Sequence, residues 1–297
     1  MLVQTAMSIL EEIKYKFQSN NAITRILSIN IAVYLLFAVS YVVFFLFNSS
    51  EFVNNLKKQL MLPASIENFI YRPWSIFTYM FLHDGLLHII FNMLWLYWIG
   101  QLLQQFLGNT KTYQAYVLGG IAGGLLYMLA YNIFPAFSSS VNTANALGAS
   151  AGVLSVVVAT ATLLPDYQIM LFIFGAVRLK YLALVSVIFD IISIPTGNAG
   201  GHIAHLGGAL FGFLFIKIIY NKNYNPTLLD KIFEGSWLRF KRKPKLKVKY
   251  RTTYMRVETP DKPSQEEIDA ILDKISKHGY SSLTSKEKEQ LFKFSKS

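Results

Sequence analysis

The chain has 297 residues, 53% of them hydrophobic and 15% charged, with the apolar residues gathered into runs of membrane length. Such runs exclude an ordinary soluble domain and mark an integral membrane protein. With no cysteine and a net charge of +11, disulfides, thiolate nucleophiles and Cys-based metal sites are excluded, and histidine, serine and carboxylates must carry any chemistry.

At the N-terminus, Ala6, Leu10, Ile13 and Phe17 alternate with Glu11, Glu12, Lys14 and Lys16, the pattern of a short amphipathic helix on a membrane surface. The two glutamates and the missing small-residue cleavage site argue against a cleaved signal peptide, so the first span is expected to stay as an anchor. That span, Ile26 to Phe47, has the roughly 20 residues a bilayer core requires. The stretch from Asn48 to Leu82 is too polar to span and too apolar to float. Broken by Pro63 and Pro73, it reads as a folded loop resting partly among headgroups, with Tyr71, Trp74 and Tyr79 as interface aromatics. Five further spans follow: Leu86 to Leu107, Thr112 to Phe134, Leu147 to Leu164, Tyr181 to Ile194 and Gly201 to Tyr220. The expected fold is an all-α membrane protein with a bundle of six transmembrane helices.

Loop charge orients the bundle. Lys14, Lys16, Arg25, Lys111, Arg178, Lys180 and the stretch from Lys222 onward fall on one side, whereas the loops 135–146 and 195–200 carry no charge. By the positive-inside rule both termini are cytoplasmic. Helices two, four and six then enter from the outer side, and His88, Ser150 and His205 lie within their first one or two turns, at one depth. Asn92 stands one turn below His88 on the same face. Gly148 and Gly152 on helix four, and Ala204, Gly208 and Gly212 on helix six, are small residues four apart that let helices pack closely in lipid.

The tail divides in two. Lys222 to Arg256 is basic with Trp237, Phe240 and Pro244 interleaved, which suits anionic lipid better than nucleic acid. Ser264 with Glu267, and Thr284 with Glu287, form two capping boxes flanking Gly279. The apolar stripe Ile268, Ile271, Leu272 and Ile275, covered by Leu283, Leu291 and Phe292, predicts a small cytoplasmic helical hairpin that docks a protein partner. The expected organisation is an N-terminal amphipathic segment (1–22), a six-helix membrane domain (23–221), a basic juxtamembrane linker (222–260) and the hairpin (261–297).

Three motifs share the membrane domain: Gly148-Ala-Ser150 (GxS), Gly200-xxx-Ala204-His205-xx-Gly208-xxx-Gly212, and His83-xxxx-His88-xxx-Asn92. Together and in this order, over roughly Pro73 to Leu214, they resemble the rhomboid family of intramembrane serine proteases. The resemblance implies a Ser-His dyad in which Ser150 attacks the scissile carbonyl and His205 carries the proton. It further implies an oxyanion hole from His88, Asn92 and the Ser150 backbone N–H, with room left by Gly148. Transmembrane protein substrates would be cut near the outer membrane face, without metal or other cofactor. Two departures stand out. The family's loop Trp-Arg is here Trp74-Ser75, which predicts a looser loop. The aromatic that packs on the catalytic imidazole is Leu154, so either another group orients His205 or its alignment is weaker.

Physical chemistry asks for the same set: a nucleophile, a base within hydrogen-bond reach and donors aimed at a developing oxyanion. His83 and His202 read as interfacial or structural residues, and Asp190 as a buried hydrogen-bond partner, because a carboxylate in lipid must be paired or protonated. The alternatives are a catalytically inactive rhomboid-like protein that binds membrane clients, a transporter, and a metal site built from His83, His88, His202 and His205. No inverted repeat supports the second, and no His-Glu-x-x-His motif supports the third. The uncleaved, positive-inside layout suggests a bacterial plasma membrane.

Overall fold

A computed structural model describes residues 21–171, 175–221, 233 and 264–295. The expected N-terminal amphipathic helix and the basic linker lie outside the described residues, Phe233 apart. The described chain forms two units, a membrane unit and a C-terminal unit.

Four helices of the membrane unit are long and apolar enough to cross a bilayer. The first, α1 (Ala22–Leu46), starts where Asn21 Oδ1 accepts from Thr24 N. Its other free N–H groups are met by side chains far along the chain: Ala22 N donates to Asn109 Oδ1 and Ile23 N to Gln104 Oε1, both at 3.0 Å. Unpaired N–H groups at a helix start are costly away from water, so these two amides fix where α1 stands.

The loop after α1 is structured. It contains α2 (Ser50–Leu60), β1 (Leu62–Pro63), α3 (Ile66–Ile70), α4 (Ser75–Thr78) and a 3₁₀ turn (Tyr79–Phe81). The looser packing expected from Ser75 is not found. Arg72 Nη1 donates to Lys58 O at 2.7 Å, Trp74 Nε1 to Gln59 O at 3.0 Å and Thr78 Oγ1 to Leu60 O at 2.7 Å. The loop is therefore tied by a guanidinium two residues before Trp74, and Ser75 is itself fully buried.

The expected second and third spans form one long element, α5 (Leu86–Ile133), in which Gly108 alone leaves helical geometry, at φ 74° and ψ 177°. That conformation is essentially restricted to glycine. A straight helix would hold residues 88 and 123 about 50 Å apart. Here a Cβ on Gly148 would touch His88, and one on Gly123 would touch Ala151, three residues further on. The element therefore reverses at Gly108 into two arms lying side by side.

After α5 the chain reaches β2 (Asn145–Ala146), which pairs antiparallel with β1. It then forms α6 (Ser150–Leu163), which at 14 residues is shorter than the other spans and than the run read from the sequence. The connection 164–178, for which the sequence suggested no element, forms a ribbon of β3 (Gln168–Leu171) against β4 (Gly175–Arg178). Asp166 anchors it through Lys180 Nζ at 2.7 Å and Arg178 Nη1 at 3.3 Å. The hydrogen bond from Lys180 holds the Asp166 carboxyl below its usual range. Finally come α7 (Leu179–Ser193), a 3₁₀ turn through Pro195, and α8 (Ala199–Ile219).

Small residues bring α5, α6 and α8 into backbone contact. A Cβ on Gly208 would sit 2.1 Å from Ala151 O, one on Gly212 2.2 Å from Ser155 O, and one on Gly152 2.7 Å from Tyr116 O. Ser155 Oγ adds a buried bond to Ala115 O at 2.8 Å. Close approach of this kind replaces the hydrophobic driving force that lipid removes.

The C-terminal unit holds α9 (Gln265–His278) and α10 (Ser285–Ser295), joined by a 3₁₀ turn after Gly279. Both capping boxes are present, and Lys274 Nζ bonds Glu287 Oε1 at 2.8 Å. Ile268, Ile271 and Leu283 are buried between the helices, whereas Leu272, expected in the same stripe, is half exposed.

Candidate active site

The loop before α6 is held from two sides. Ala64 N donates to Ala144 O at 3.0 Å beside the β1–β2 pair, and Gly148 N donates to Tyr79 O at 2.9 Å. Tyr79 is anchored in turn by its hydroxyl bond to Gly120 O, 2.5 Å. Gly148 has φ 131°, a conformation that side chains other than glycine rarely adopt. A Cβ there would lie 3.1 Å from His88 Cε1, 3.2 Å from His88 Nε2 and 3.4 Å from Ser150 Oγ. Gly148 therefore keeps open the small space between the His88 ring and the Ser150 hydroxyl.

Ser150 opens α6 as its first residue. Ser150, Asn92, Asp190, His202 and His205 line one cavity of about 440 Å³, together with Trp95, Leu154 and Phe189 among others. The structure thus brings together Ser150 and His205, which are 55 positions apart, with Asn92 from α5 and His88 across Gly148. Among the described residues no hydrogen bond joins Ser150 to His205. Such bonds are often long before substrate binds and tighten in the complex. Asn92 Nδ2 donates to His88 O at 2.8 Å, which orients the amide and leaves one of its two N–H groups for another acceptor.

Two residues read as structural lie at the site itself. His202 Nδ1 and His205 Nδ1 meet the same atom, Asp190 Oδ1, at 2.7 and 2.8 Å. The signal was legible in principle: His202 and His205 are three apart on one helix face, and Asp190 is the only charged residue within the fifth span. His83 is buried with its ring edge-on to His88, centroids 5.1 Å apart. Burial, with His88 close by, pushes the His83 imidazole down to about 4.

The four histidines do not converge on one point. Among the described residues, the group that could offer three metal ligands is instead Asp190, His202 and His205. Ligands on a tetrahedral ion at about 2.0 to 2.1 Å would stand about 3.3 Å apart, so separations of 2.7 and 2.8 Å are those of hydrogen bonds.

Comparison with known proteins bears on this geometry. A family model described as "Rhomboid domain" matches residues 71–222, half of the chain. The chain belongs to the rhomboid family. As a rhomboid it is an integral membrane protein, similar to RHOMBOID-like protein 1 of Arabidopsis thaliana (31% identical over 182 residues, 58% of this chain and 43% of that one). It is also similar to Rhomboid protein 1, mitochondrial, of Saccharomyces cerevisiae (27% identical, 62% and 51% covered) and to Rhomboid protease GlpG of Yersinia pseudotuberculosis (27%, 48% and 46%). The rhomboid match spans about half the length of these relatives. Residues 261–297 match a second model, described as a family of unknown function (DUF6576).

Proposed function

We propose that this rhomboid is an intramembrane serine endopeptidase, with Ser150 as nucleophile and His205 as general base and acid. The observation that carries the reading is the common cavity, in which Ser150, His205 and Asn92 meet beneath an apolar wall. Ser150 Oγ attacks the scissile carbonyl carbon while His205 Nε2 takes the hydroxyl proton. The negative charge on the carbonyl oxygen is met by the free Asn92 N–H, by His88 and by the Ser150 backbone N–H. As the C–N bond breaks, His205 returns the proton to the leaving nitrogen, and water then hydrolyses the acyl-enzyme. Gly148 supports this assignment, since any larger residue would fill the space the oxyanion needs.

The reversal at Gly108 and the short α6 favour counting six spans; loop charge then puts both termini in the cytoplasm and the cut near the outer face, and the uncleaved layout suits a bacterial plasma membrane. Transmembrane substrates would enter past α7, which lines the cavity beside Ser150 and His205 through Leu182, Val185, Ser186, Phe189 and Asp190. The basic segment after α8 suits anionic lipid, and the α9–α10 pair would dock a cytoplasmic protein.

The missing Ser150–His205 hydrogen bond is the one feature that favours a client-binding protein without hydrolysis. Fluorophosphonate labelling of the detergent-purified chain separates the readings. Labelling lost in both Ser150→Ala and His205→Ala is the expected result. An unlabelled but folded wild-type chain favours the client-binding protein, and labelling that persists in Ser150→Ala assigns the wrong nucleophile.

A further inference from the structure

A base that must accept a proton at Nε2 has to hold its other proton at Nδ1, and something has to keep it there. Leu154, on the wall of the same cavity, supplies only aliphatic contact. Asp190 supplies more. Its side chain is only 6% exposed in the last turn of α7, and its Oδ1 sits 2.8 Å from His205 Nδ1 and 2.7 Å from His202 Nδ1. An ionised carboxylate only accepts, so each ring donates from Nδ1, and a neutral ring that donates there presents its lone pair at Nε2. The bond that makes burial of Asp190 tolerable in lipid thereby sets the tautomer and the orientation of His205.

We propose that Asp190 is the positioning residue of this site, making an Asp190–His205–Ser150 relay across α7, α8 and α6, with His202 as a second claimant on the same carboxylate. The proposal rests on the assignment of Ser150 and His205 above. When Ser150 Oγ bonds to the carbonyl carbon, its proton moves to His205 Nε2. The resulting imidazolium keeps donating Nδ1–H to Asp190, which stays ionised and stabilises the positive ring. When the C–N bond breaks, the same proton leaves on the nitrogen, and His205 is neutral again. His202 stands three residues before His205 on the same face of α8 and draws on Oδ1 from the other side. It limits how much of the carboxylate charge His205 feels.

The ionisable groups around His205 are Asp190 from α7, His202 from its own helix and His88 from α5; α6 carries none. His88 is unchanged in the variants below, so shifts between them report on Asp190 and His202. The measurement is the fluorophosphonate labelling rate of the full chain in detergent from pH 5 to 9, with thermal unfolding alongside. Asp190→Asn keeps shape and an acceptor but loses the charge. It is expected to slow labelling on the order of 10²- to 10⁴-fold and to move the acid limb of the profile to lower pH, because the imidazolium loses its anion. His202→Phe removes the competing donor and is expected to move the limb the opposite way, to higher pH.

Wild-type rate and limb in a folded Asp190→Asn chain overturn the proposal and leave Ser150 and His205 standing. If Asp190→Asn does not fold, the His202→Phe limb decides, and an unshifted limb overturns the proposal. No labelling of the wild type defeats the underlying assignment instead.

Discussion

Gly208→Ala tests whether helix contact sets the distance on which the chemistry depends. The added Cβ would lie 2.1 Å from Ala151 O, 2.8 Å from Ala151 C and 3.2 Å from Ala151 Cα. All three are backbone atoms, so no side chain can swing aside. Ordinary contact begins near 3.4 Å, and α6 and α8 must part by more than 1 Å. Ala151 follows Ser150 directly, and Gly208 lies three residues beyond His205 on the same face, so the separation falls on Ser150 and His205, the proposed nucleophile and base. Overpacking of this kind costs roughly 1–3 kcal/mol, which a fold of about 5–15 kcal/mol survives. A misplacement of about 1 Å between reacting groups costs on the order of 10²-fold in rate. The expected result is a folded protein with a modestly lower Tm and about 100-fold slower fluorophosphonate labelling. Gly85→Ser is the control: a Cβ there meets nothing within 4 Å, and serine suits a position just before a helix. Wild-type labelling by Gly208→Ala would refute the coupling of helix contact to the site.

Asn92→Ala should lower the labelling rate about 10²- to 10³-fold, the effect of removing one oxyanion donor, with little change in Tm; an unchanged rate would remove Asn92 from the oxyanion hole. His83 takes a proton more readily unfolded, at its ordinary 6.5, than folded, at about 4. Stability should therefore fall as pH drops through that window, and His83→Phe should flatten the fall when Tm is followed from pH 7 to 4. In the C-terminal unit, bonds from Lys274 and from Thr284 hold Glu287 down to about 2 from an ordinary 4.5. Its contribution is present above about 4.5 and is lost as pH falls toward 2. Hydrogen exchange in α9 and α10 should quicken over that range in wild type and show no such step in Glu287→Gln.

Much of the membrane unit was legible because lipid narrows the choices. Apolar runs of bilayer length become helices, since nothing else satisfies the backbone there, and the bounds at Pro165 and Pro195 follow from proline. What the sequence did not yield is local. The β3–β4 ribbon depends on pairing between two short segments and on Asp166 meeting Lys180 and Arg178, none of which a periodicity reports. The order of the loop after α1 is local in the same sense: it rests not on the residue after Trp74 but on Arg72, which reaches the Lys58 carbonyl.

The same distinction explains the site. Ser150, His205, His88 and Asn92 could be named from spacing because the positive-inside reading puts each near the start of a span entering from the same side, so the expected depth aligns them. Depth also suits Asp190, in the last turn of a helix running the opposite way, but whether it faces the bundle or the lipid depends on rotation about that helix, which depth does not report. The two histidines on α8 settle the rotation. A carboxylate facing lipid would have to give up its charge, whereas one facing two N–H donors can keep it. Here the bonds that make the buried charge tolerable also hold both imidazoles in the Nδ1–H tautomer, the one a general base at Nε2 requires. On the proposed assignment of His205, the stability of α7 and the readiness of that base are consequences of one pair of hydrogen bonds, and a substitution that spares the first while removing the second has to leave an acceptor at Asp190 Oδ1 and take away its charge.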